Sequence, residues 1–525
     1  MTHQRSIGII GAGPKGMYAL DCLATELDQR GAADTLDVHV FEPHPDLGAG
    51  PVYDRRQPHF LRLNYANRQV DMWADAASGP SLVAWLRVHR PDFADPDDSA
   101  PRAVVGEYLR NGFDRVVARL ERRACVRVHR TAATGVRRVN GSWSIASSDG
   151  DTAVDAILLS TGHASRRTRP SGLEGPNHVD AVYPVAASGL DRIPAGSSVA
   201  VRGLGLTAID ATLALTEGRG GRFDWSTSPI PHYQPSGREP STIVAYSRTG
   251  LTMTPKPVRS TTSPPTHDDL ASRCARVLRS ASDPVGALGE FLDEVVAARL
   301  GAARTTWADR GHDDVVDAVR VAYGETPCSP DAALGDTWRA SYPAIVEATA
   351  SRAFDDHWVE FAALTRRMER IAFGPPASNA ARFASLVVAG IVDLDLARNP
   401  AVSRSGDGFA IDSGSGTRRV DHHVNAVIAP PGVGHEPTEL FASLLDAGLV
   451  RTTDHADGID VDRDARAIGA NGEPTPGLSV IGRMTDGATL GNDTLSRTLH
   501  DVPGRWARST LRDIGIITED GRARV

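Results

Sequence analysis

Short apolar runs that end in glycine occur twice in this chain, and each precedes a stretch with helical spacing of apolar residues. Residues 7–10 are apolar, rich in β-branched side chains and bounded by glycine, which predicts a buried parallel strand. Residues 15–28 are predicted to form the helix that follows, and residues 36–42 (LDVHVFE) a second strand. The alternation of strand and helix indicates an α/β fold with a parallel sheet.

The same pattern returns in the middle of the chain. Residues 198–202 predict a strand, residues 207–216 a helix that Gly218 ends, and STIVAYSRTG a further strand. Two later segments, HHVNAVIAPPG and TPGLSVIGRMTDG, each contain a strand that we expect to return to the first sheet. Residues 262–372 differ, because their apolar residues follow helical spacing throughout, and they predict a helical insertion.

The composition narrows the class of protein. A chain of 525 residues is too long for one compact core, so two or three domains are expected. The formal net charge of −8 argues against nucleic acid as the main partner. No run of 18 apolar residues is present, and we expect a cytoplasmic protein without a membrane span. The four cysteines are far apart and form no C-x-x-C pair, which excludes a zinc ribbon and a thioredoxin-type redox pair: Cys22, Cys125, Cys274 and Cys328.

The first glycine segment has the spacing of a dinucleotide-binding loop. Gly11, Gly13 and Gly16 match G-x-G-x-x-G: Gly11 permits the tight turn, Gly13 admits a pyrophosphate, and Gly16 lets the helix pack on the strand. Pro14 and Lys15 complete the loop, and the helix directs its positive N-terminus at the phosphates.

Glu42 stands at the tip of the second predicted strand. Its carboxylate would bind a ribose diol and repel a 2′-phosphate, which favours FAD or NAD over NADP. The alternative is a solvated residue at the end of a strand.

The second glycine segment ends in a different residue type. Gly203, Gly205 and Ala208 match G-x-G-x-x-A, with Thr207 at the start of the helix. The strand that follows ends in Ser247 and Arg248, and an arginine binds a 2′-phosphate bidentately, which favours NADP. The alternative for Arg248 is a surface arginine in an arginine-rich protein.

Two such units in one chain suggest that one holds FAD and the other delivers NADPH, whose hydride reduces the flavin. We therefore predict two dinucleotide-binding, Rossmann-like domains and a helical insertion. The predicted divisions are residues 1–190 plus 373–525 for FAD, 191–261 for NADPH, and 262–372 for the insertion. Whether the NADPH domain continues after the insertion is left open.

Several segments resemble a known family. DAILLSTGH, residues 155–163, resembles the D-x-x-x-L-A-T-G-Y segment of class B flavoprotein monooxygenases that hydroxylate amines, with Ser160 and His163 in place of Ala and Tyr. PHPDLGAGPVYD, QPHFLRLNYANRQVDMW, PRAVVGEYLR and GLGLTAIDATLAL resemble the FAD/NAD(P)-binding family that opens with G-x-G-P-[RK]-G. Characterised members of that family include flavin-dependent N-oxygenases of amino acids, among them enzymes that convert aspartate to nitrosuccinate.

The resemblance implies further cofactor contacts. Thr161 and Gly162 would form a turn close to FAD. Residues on the flavin side of the FAD site would be Gly50, Tyr53 and Asn64, with Arg102 and Tyr108 nearby and Gly482, Asp486 and Gly487 from the late segment. Alternatives stay open: Gly50 relieves a loop, Tyr53 belongs to the core, Arg102 pairs with Glu107, and Asp486 and Gly487 form only a turn.

The insertion is expected to cover the reactive face of the flavin and to set substrate specificity. Candidates to line it are polar or aromatic, and solvated helix faces or core positions are the alternative: Trp338, Arg339, Trp358, Arg366 and Arg367. No acid/base pair is evident. His422 and His423 are adjacent on a strand and point to opposite faces, so we expect no shared metal.

These features together predict an NADPH-dependent FAD monooxygenase. Oxygen would pass from a flavin C4a-hydroperoxide, formed with O2, to the nitrogen of an amino acid or related amine. One alternative is a flavoprotein reductase or dehydrogenase that passes electrons to an acceptor. Another is a non-catalytic protein that retains FAD as structure.

Overall fold

The computed structural model describes residues 4–30, 36–162, 172–226, 229–258, 267–301, 315–414, 416–433, 437–497 and 499–518. The strands in these ranges are β1 (Arg5–Ile10), β2 (Leu36–Phe41), β3 (Cys125–His129), β4 (Ala133–Val139), β5 (Ser142–Ser147), β6 (Gly150–Val154), β7 (Ala156–Leu159), β8 (His178–Val179), β9 (Ser198–Arg202), β10 (Arg222–Asp224), β11 (His232–Gln234), β12 (Thr242–Tyr246), β13 (Val392–Asp393), β14 (Ala401–Ser405), β15 (Gly408–Asp412), β16 (Thr417–Val420), β17 (His422–Asn425), β18 (Arg466–Ile468) and β19 (Pro474–Val480). The helices are α1 (Pro14–Arg30), α2 (Leu82–His89), α3 (Arg102–Leu120), α4 (Leu206–Leu215), α5 (His267–Ser280), α6 (Pro284–Leu300), α7 (Val315–Ala322), α8 (Pro330–Ala350), α9 (Trp358–Ala372), α10 (Ala377–Val388), α11 (Glu439–Asp446) and α12 (Val502–Asp513).

The first sheet has the strand order β18-β19-β7-β1-β2-β3 in the described ranges. β1 is parallel to β2 and to β7, as the alternation of strand and helix predicts. Ile7 and Ile9 are fully buried in a core shared with α1, α3 and α12. On the other face, Ile10 packs in a core with Trp143 and Ile145 of the small antiparallel sheet β4–β6.

The second sheet has the order β13-β12-β9-β17-β8, with every described pairing parallel. Val199 and Val201 of β9 are buried in a core with residues of α4 and α10. Ala200 faces the opposite core, which includes residues of a second small antiparallel sheet, β14–β16. The first sheet is parallel except for β18, which is antiparallel to β19. Each of the two sheets thus lies between helices and a small antiparallel sheet.

The structure corrects one predicted division of the chain. β17 lies between β9 and β8 of the second sheet, so the prediction that this segment returns to the first sheet is wrong. Of the two late strands, β19 does pair with β7 of the first sheet. A short buried apolar run fits either parallel sheet, and its periodicity cannot choose between them. In the structure Val424 pairs with Val201, and β8 also lies in the second sheet, before the predicted boundary at residue 190.

The insertion forms helices with a core of their own. α5, α6, α8 and α9 surround buried residues that include Trp338 and Phe361. Asp283 is the N-cap of α6 and accepts hydrogen bonds from the backbone amides of Val285 and Gly286 at the start of this helix. In the described ranges, no helix has both the length and the apolar character needed to cross a bilayer.

Candidate functional site

The first glycine loop, residues 11–16, joins β1 to α1. Gly11 has φ +99°, its amide donates to Phe41 O at 2.9 Å, and an added Cβ would lie 2.5 Å from Ser160 O. A Cβ on Gly16 would lie 2.1 Å from Gly11 O. Nothing lies within 4 Å of the Cβ position of Gly13, so this residue faces open space at the start of α1. The loop is therefore tightly packed at Gly11 and Gly16 and open at Gly13, as a pyrophosphate site requires.

Glu42 is held in position at the tip of β2. Its carboxylate accepts hydrogen bonds from the amides of Ala12 and His44, both at 2.8 Å. The side chain is thus oriented toward the first glycine loop, which a merely solvated strand-end residue would not need. It stands where a ribose diol beside the loop would meet it.

The segment after β7 supplies further polar groups to this loop. Ser160 Oγ donates to Gly11 O at 2.7 Å. Thr161 Oγ1 is buried and has no hydrogen-bond partner among the described residues, which leaves it free for a ligand atom. Gly162 has φ +76° and open space at its Cβ position. His163, which replaces the tyrosine of the D-x-x-x-L-A-T-G-Y segment, lies outside the described residues.

Two distant loops flank the first glycine loop. Gly50 has φ +64°, and its Cβ position lies 3.6 Å from Gly13 Cα. Gly482 has φ +87°, and its Cβ position lies 3.4 Å from Lys15 Cγ. Lys15 Nζ donates to Thr494 O at 2.9 Å, and burial lowers the pKa of Lys15 to about 8. An open glycine, an unpaired buried hydroxyl and an oriented carboxylate together fit a dinucleotide such as FAD.

The remaining predicted flavin contacts lie in different surroundings. Tyr53 is half-buried, and a Cβ on Gly106 of α3 would lie 1.8 Å from Tyr53 O, so the two segments touch. Tyr108 is buried in the core, where its hydroxyl donates to Pro80 O at 2.9 Å and its ring lies 5.8 Å from that of Trp85.

The late loop carries the last two of these predicted contacts. Gly487 is buried and has φ +92°, and a Cβ there would lie 2.6 Å from Ala456 Cβ. Asp486 is half-buried, and burial raises the pKa of its carboxyl to about 6.

Arg102 does not pair with Glu107, whose carboxylate lies 2.6 Å from Arg90 Nη2. Instead, Arg102 Nη2 lies 2.7 Å from Asp210 Oδ2. Asp210 belongs to α4 of the second sheet, so this ion pair joins elements of the two sheets.

The second glycine loop, residues 203–208, repeats the first. Gly203 has φ +125°, its amide donates to Tyr246 O at 2.7 Å, and its Cβ position lies 3.0 Å from Ala426 O. Gly205 is the N-cap of α4, and the nearest atom to its Cβ position is Met253 Sδ at 3.7 Å. Thr207 lies in the first turn of α4, and Ala208 is buried. The helix N-terminus is accessible beside Gly205.

At the tip of β12, Ser247 Oγ accepts the amide of Gly250 at 3.0 Å, and Arg248 is exposed. Arg398, which no sequence motif marks, is exposed beside this turn. Its Cβ lies 2.8 Å from the Cβ position of Gly250, and its backbone bridges to Ser247. Two arginines at this tip can attract a phosphate.

A cluster of polar and ionisable side chains lies beside the insertion, and no local sequence pattern marks it. We define the junction cleft by Tyr65, Lys256, Tyr342, Glu369 and Asp493. Lys256 Nζ donates to Asn64 O and lies 4.6 Å from the centroid of the Tyr65 ring. The chain has two lysines, and the other, Lys15, interacts electrostatically with Asp493. The cleft therefore adjoins the first glycine loop.

The charges in the junction cleft perturb one another. Burial lowers the pKa of Lys256 to about 7. Burial, together with the charge of Asp493, raises the pKa of Glu369, although this side chain keeps an exposed surface. Lys256 and Glu369 are far apart in sequence, and no local pattern signals that they interact electrostatically.

Most of the residues predicted to line a substrate site in the insertion are instead buried in its core or paired with other protein groups. Trp338 is buried in the core of the insertion. Arg339 lies near Lys256, but it donates to Ala372 O at 2.5 Å and pairs with Asp336. The ring of Trp358 packs 4.1 Å from that of His455. Arg366 is exposed and Arg367 half-buried.

Comparison with known proteins agrees with this geometry. Residues 8–164 match the profile of a family described as FAD-NAD(P)-binding. The chain is 32% identical over 293 residues to an L-aspartate N-monooxygenase (nitrosuccinate-forming) of Streptomyces davaonensis, a match that covers 48% of this chain and 44% of that protein. The chain thus spans less than half the length of this relative.

Two solved structures share the fold over nearly the whole chain. The ornithine N-hydroxylase of Kutzneria sp. 744 matches with a TM-score of 0.52 at 16% identity. The match covers 98% of this chain and 99% of the hydroxylase chain. L-lysine 6-monooxygenase of Pseudomonas syringae matches with a TM-score of 0.53 at 16% identity, over 97% of this chain and 100% of the monooxygenase chain. The predicted α/β class with two dinucleotide-binding folds is confirmed, as is the resemblance to the FAD/NAD(P)-binding family.

Proposed function

We propose that this chain, whose residues 8–164 match the FAD-NAD(P)-binding family, is an NADPH-dependent FAD monooxygenase that oxygenates the nitrogen of an amino acid. The single observation that carries the proposal is the pair of glycine loops, one tipped by Glu42 and one by Arg248, on two parallel sheets. Similarity to an aspartate N-monooxygenase supports the choice of reaction.

The first glycine loop would hold FAD, with Glu42 at the ribose and Gly13 and the start of α1 at the pyrophosphate. The second glycine loop would hold NADPH, with Arg248 at the 2′-phosphate. When bound, the flavin supplies redox chemistry that side chains cannot, since it accepts two electrons from NADPH and activates O2 for transfer of one oxygen atom.

The junction cleft is the proposed substrate site. The ammonium group of Lys256 would bind a substrate carboxylate, because among the described residues it has one hydrogen-bond acceptor, Asn64 O, and it has further N–H donors. Glu369 would accept a hydrogen bond from the substrate amine and take up its proton, which leaves the nitrogen lone pair available as a nucleophile. L-aspartate is the first substrate to test, because it is the substrate named for the relative in Streptomyces.

The test measures NADPH oxidation, O2 consumption and product mass with a panel of amino acids, and repeats the reaction under ¹⁸O₂. We expect one amino acid to stimulate both consumptions and to acquire one or more ¹⁸O atoms. If NADPH is consumed without substrate-dependent oxygen incorporation, and an added electron acceptor is reduced instead, the chain is a reductase and the proposal is wrong.

Variants assign the cleft. Lys256→Met is expected to raise KM for the amino acid about 10-fold to 100-fold, because a charge-assisted hydrogen bond is lost. Glu369→Gln is expected to lower kcat, whereas Glu360→Gln, an exposed position in the first turn of the same helix, serves as the matched control. Equal effects at Glu369 and Glu360 would contradict the assignment.

The pH dependence of KM gives a second test of Lys256. Its pKa is lowered to about 7, so the ammonium is charged below that pH and loses its charge above it. We expect KM for the amino acid to rise as the pH passes above about 7. Lys256→Arg should remove this rise, because a guanidinium stays charged.

A further inference from the structure

A buried ion pair joins α3, which packs against the first sheet, to α4 of the second sheet, the helix that follows the second glycine loop. Arg102 Nη2 lies 2.7 Å from Asp210 Oδ2, and their side chains are 13% and 2% exposed. Arg102 Nη1 also donates to the hydroxyl of Tyr183 at 3.0 Å, and that hydroxyl donates to the Asp210 carboxylate. We name these three residues the joint.

On the first-sheet side, the joint is anchored to a single loop. Arg102 is the first residue of α3; its amide donates to Leu61 O at 2.8 Å and its Nε to Arg62 O at 3.2 Å. The same loop continues to Asn64, whose carbonyl accepts the hydrogen bond from Lys256 in the junction cleft. The position of this loop, and with it one partner of Lys256, therefore depends on Arg102.

On the second-sheet side, the joint is anchored to the helix of the second glycine loop. Asp210 is on α4, which begins directly after Gly205. Tyr183 lies between β8 and β9 of the second sheet. A displacement of Asp210 relative to Arg102 would move α4, and with it the loop that faces the second dinucleotide, relative to the first sheet.

The chemistry of the joint suits a role in orienting the two sheets better than a role in stabilising the fold. Burial raises the pKa of Asp210, and the positive charge of Arg102 opposes this shift. Buried ion pairs often stabilise a fold no more than apolar residues of the same volume, yet removal of one partner is costly. A planar guanidinium bonded to one carbonyl, a hydroxyl and a carboxylate fixes angles as well as distances, which an apolar contact does not.

We propose that Arg102 and Asp210 are positioning residues, which hold the second glycine loop and the loop of Asn64 in the geometry that hydride transfer to FAD requires. This inference rests on the proposed function. The step moves a hydride, one proton with two electrons, from the nicotinamide of NADPH to the flavin, and leaves NADP⁺ and two-electron-reduced flavin. The joint touches neither reacting atom and acts through α4 and the loop of residues 61–64.

The test compares Arg102→Lys, Arg102→Gln and Asp210→Asn with the wild type in anaerobic rapid-mixing experiments. We expect the limiting rate of flavin reduction by NADPH to fall about 100-fold in Arg102→Gln, because a misplacement of about 1 Å has effects of this size. The dissociation constant of NADPH should change less than the rate. Reduction by dithionite should be unchanged, because it needs no bound nicotinamide. With NADPH deuterated at the transferred position, the isotope effect should rise as hydride transfer becomes fully rate-limiting.

The matched control is Glu107→Gln, on the same helix as Arg102, which breaks the ion pair with Arg90 at the end of α2 and leaves the second sheet untouched. It should leave the limiting rate unchanged. Arg102→Lys keeps the positive charge. If the position that this charge fixes matters, Arg102→Lys should retain part of the limiting rate that Arg102→Gln loses. A second readout needs no cofactor: solution X-ray scattering of the apoprotein should give a broader distance distribution for Arg102→Gln and Asp210→Asn than for Glu107→Gln.

The outcomes separate the two proposals. If NADPH reduces the wild-type flavin, but the joint variants keep its limiting rate and isotope effect and scatter like the wild type, the positioning role is wrong. If NADPH does not reduce the wild-type flavin, the proposed function fails, and the scattering comparison still decides whether the joint fixes the two sheets. If Arg102→Gln does not fold, Arg102→Lys and Asp210→Asn carry the same comparison.

Discussion

The two glycine loops have nearly the same backbone but different chemistry around it. In each, the first glycine adopts a positive φ and donates its amide to the last residue of the neighbouring strand: Gly11 to Phe41 O and Gly203 to Tyr246 O. In each, the residue that follows a neighbouring strand donates its amide to the last residue of the strand before the loop. After β7, Ser160 donates to Ile10 O of β1, and after β17, Ala426 donates to Arg202 O of β9. The shared geometry specifies a dinucleotide, and the residues around it select which one.

The first glycine loop is more enclosed by other parts of the chain than the second. The first loop is flanked by Gly50 and by a late segment that contains Gly482 and Thr494, the acceptor of the bond from Lys15. The tip beside the second loop is open, with Arg248 exposed. An enclosed site suits a cofactor that stays bound, and an open site suits one that exchanges, which agrees with FAD in the first and NADPH in the second.

The largest expected difference concerns the third position of the motif, which is Gly16 in the first loop and Ala208 in the second. A Cβ on Gly16 would lie 2.1 Å from Gly11 O, so Gly16→Ala should lower the free energy of unfolding by roughly 3 kcal/mol. Ala208→Gly should lower it by about 1 kcal/mol through helix propensity. Urea denaturation measures both, and equal losses would show that the two helices are equally close to their strands.

The next difference is between two pairs of neighbouring histidines, one in each sheet. His423 is fully buried, bonded to the Tyr246 hydroxyl at 2.7 Å and to His178 at 3.0 Å, and burial lowers its pKa to about 3. His39 and His129 lie 3.0 Å apart in the first sheet, and His129 is only half-buried.

A histidine whose folded pKa is lowered contributes stability above its unfolded pKa of about 6.5 and loses it as the pH falls toward 3. At pH 5 the loss from His423 should be about 2 kcal/mol. Unfolding measured between pH 7 and pH 5 should therefore be less acid-sensitive in His423→Gln, and the change in His129→Gln should be smaller. An unchanged acid sensitivity in His423→Gln would contradict this interpretation.

The smallest expected effect concerns the residues at the strand tips. Arg248→Ala should raise KM for NADPH about 10-fold and leave KM for NADH unchanged, because only the 2′-phosphate contact is lost. Arg398→Ala should have the same sign and a smaller size, since Arg398 lies beside the tip on a different segment. Glu42→Ala should instead lower the FAD content of the purified protein. If Arg248→Ala weakened both nicotinamide cofactors equally, the assignment of the second loop to NADPH would be lost.

Much of the fold could be predicted because it depends on short stretches of sequence. The glycine spacing, the strand before it and the helix after it occupy one continuous segment in each loop, and both segments fold as expected. β17 was misplaced because a four-residue buried run fits either parallel sheet. Tyr108 was predicted near the flavin, but the structure places it in the core against Trp85.

The sequence by itself determined which backbone segments form the two glycine loops and which charge stands at each tip, because strand, turn and helix are set by neighbours in the chain. Only the tertiary structure decided that Arg102 meets Asp210 and that Lys256 meets Tyr65 and interacts with Glu369. These contacts join residues on separate sheets and on the insertion. Their partners are selected by how the sheets and helices pack, and no periodicity along the chain records that packing.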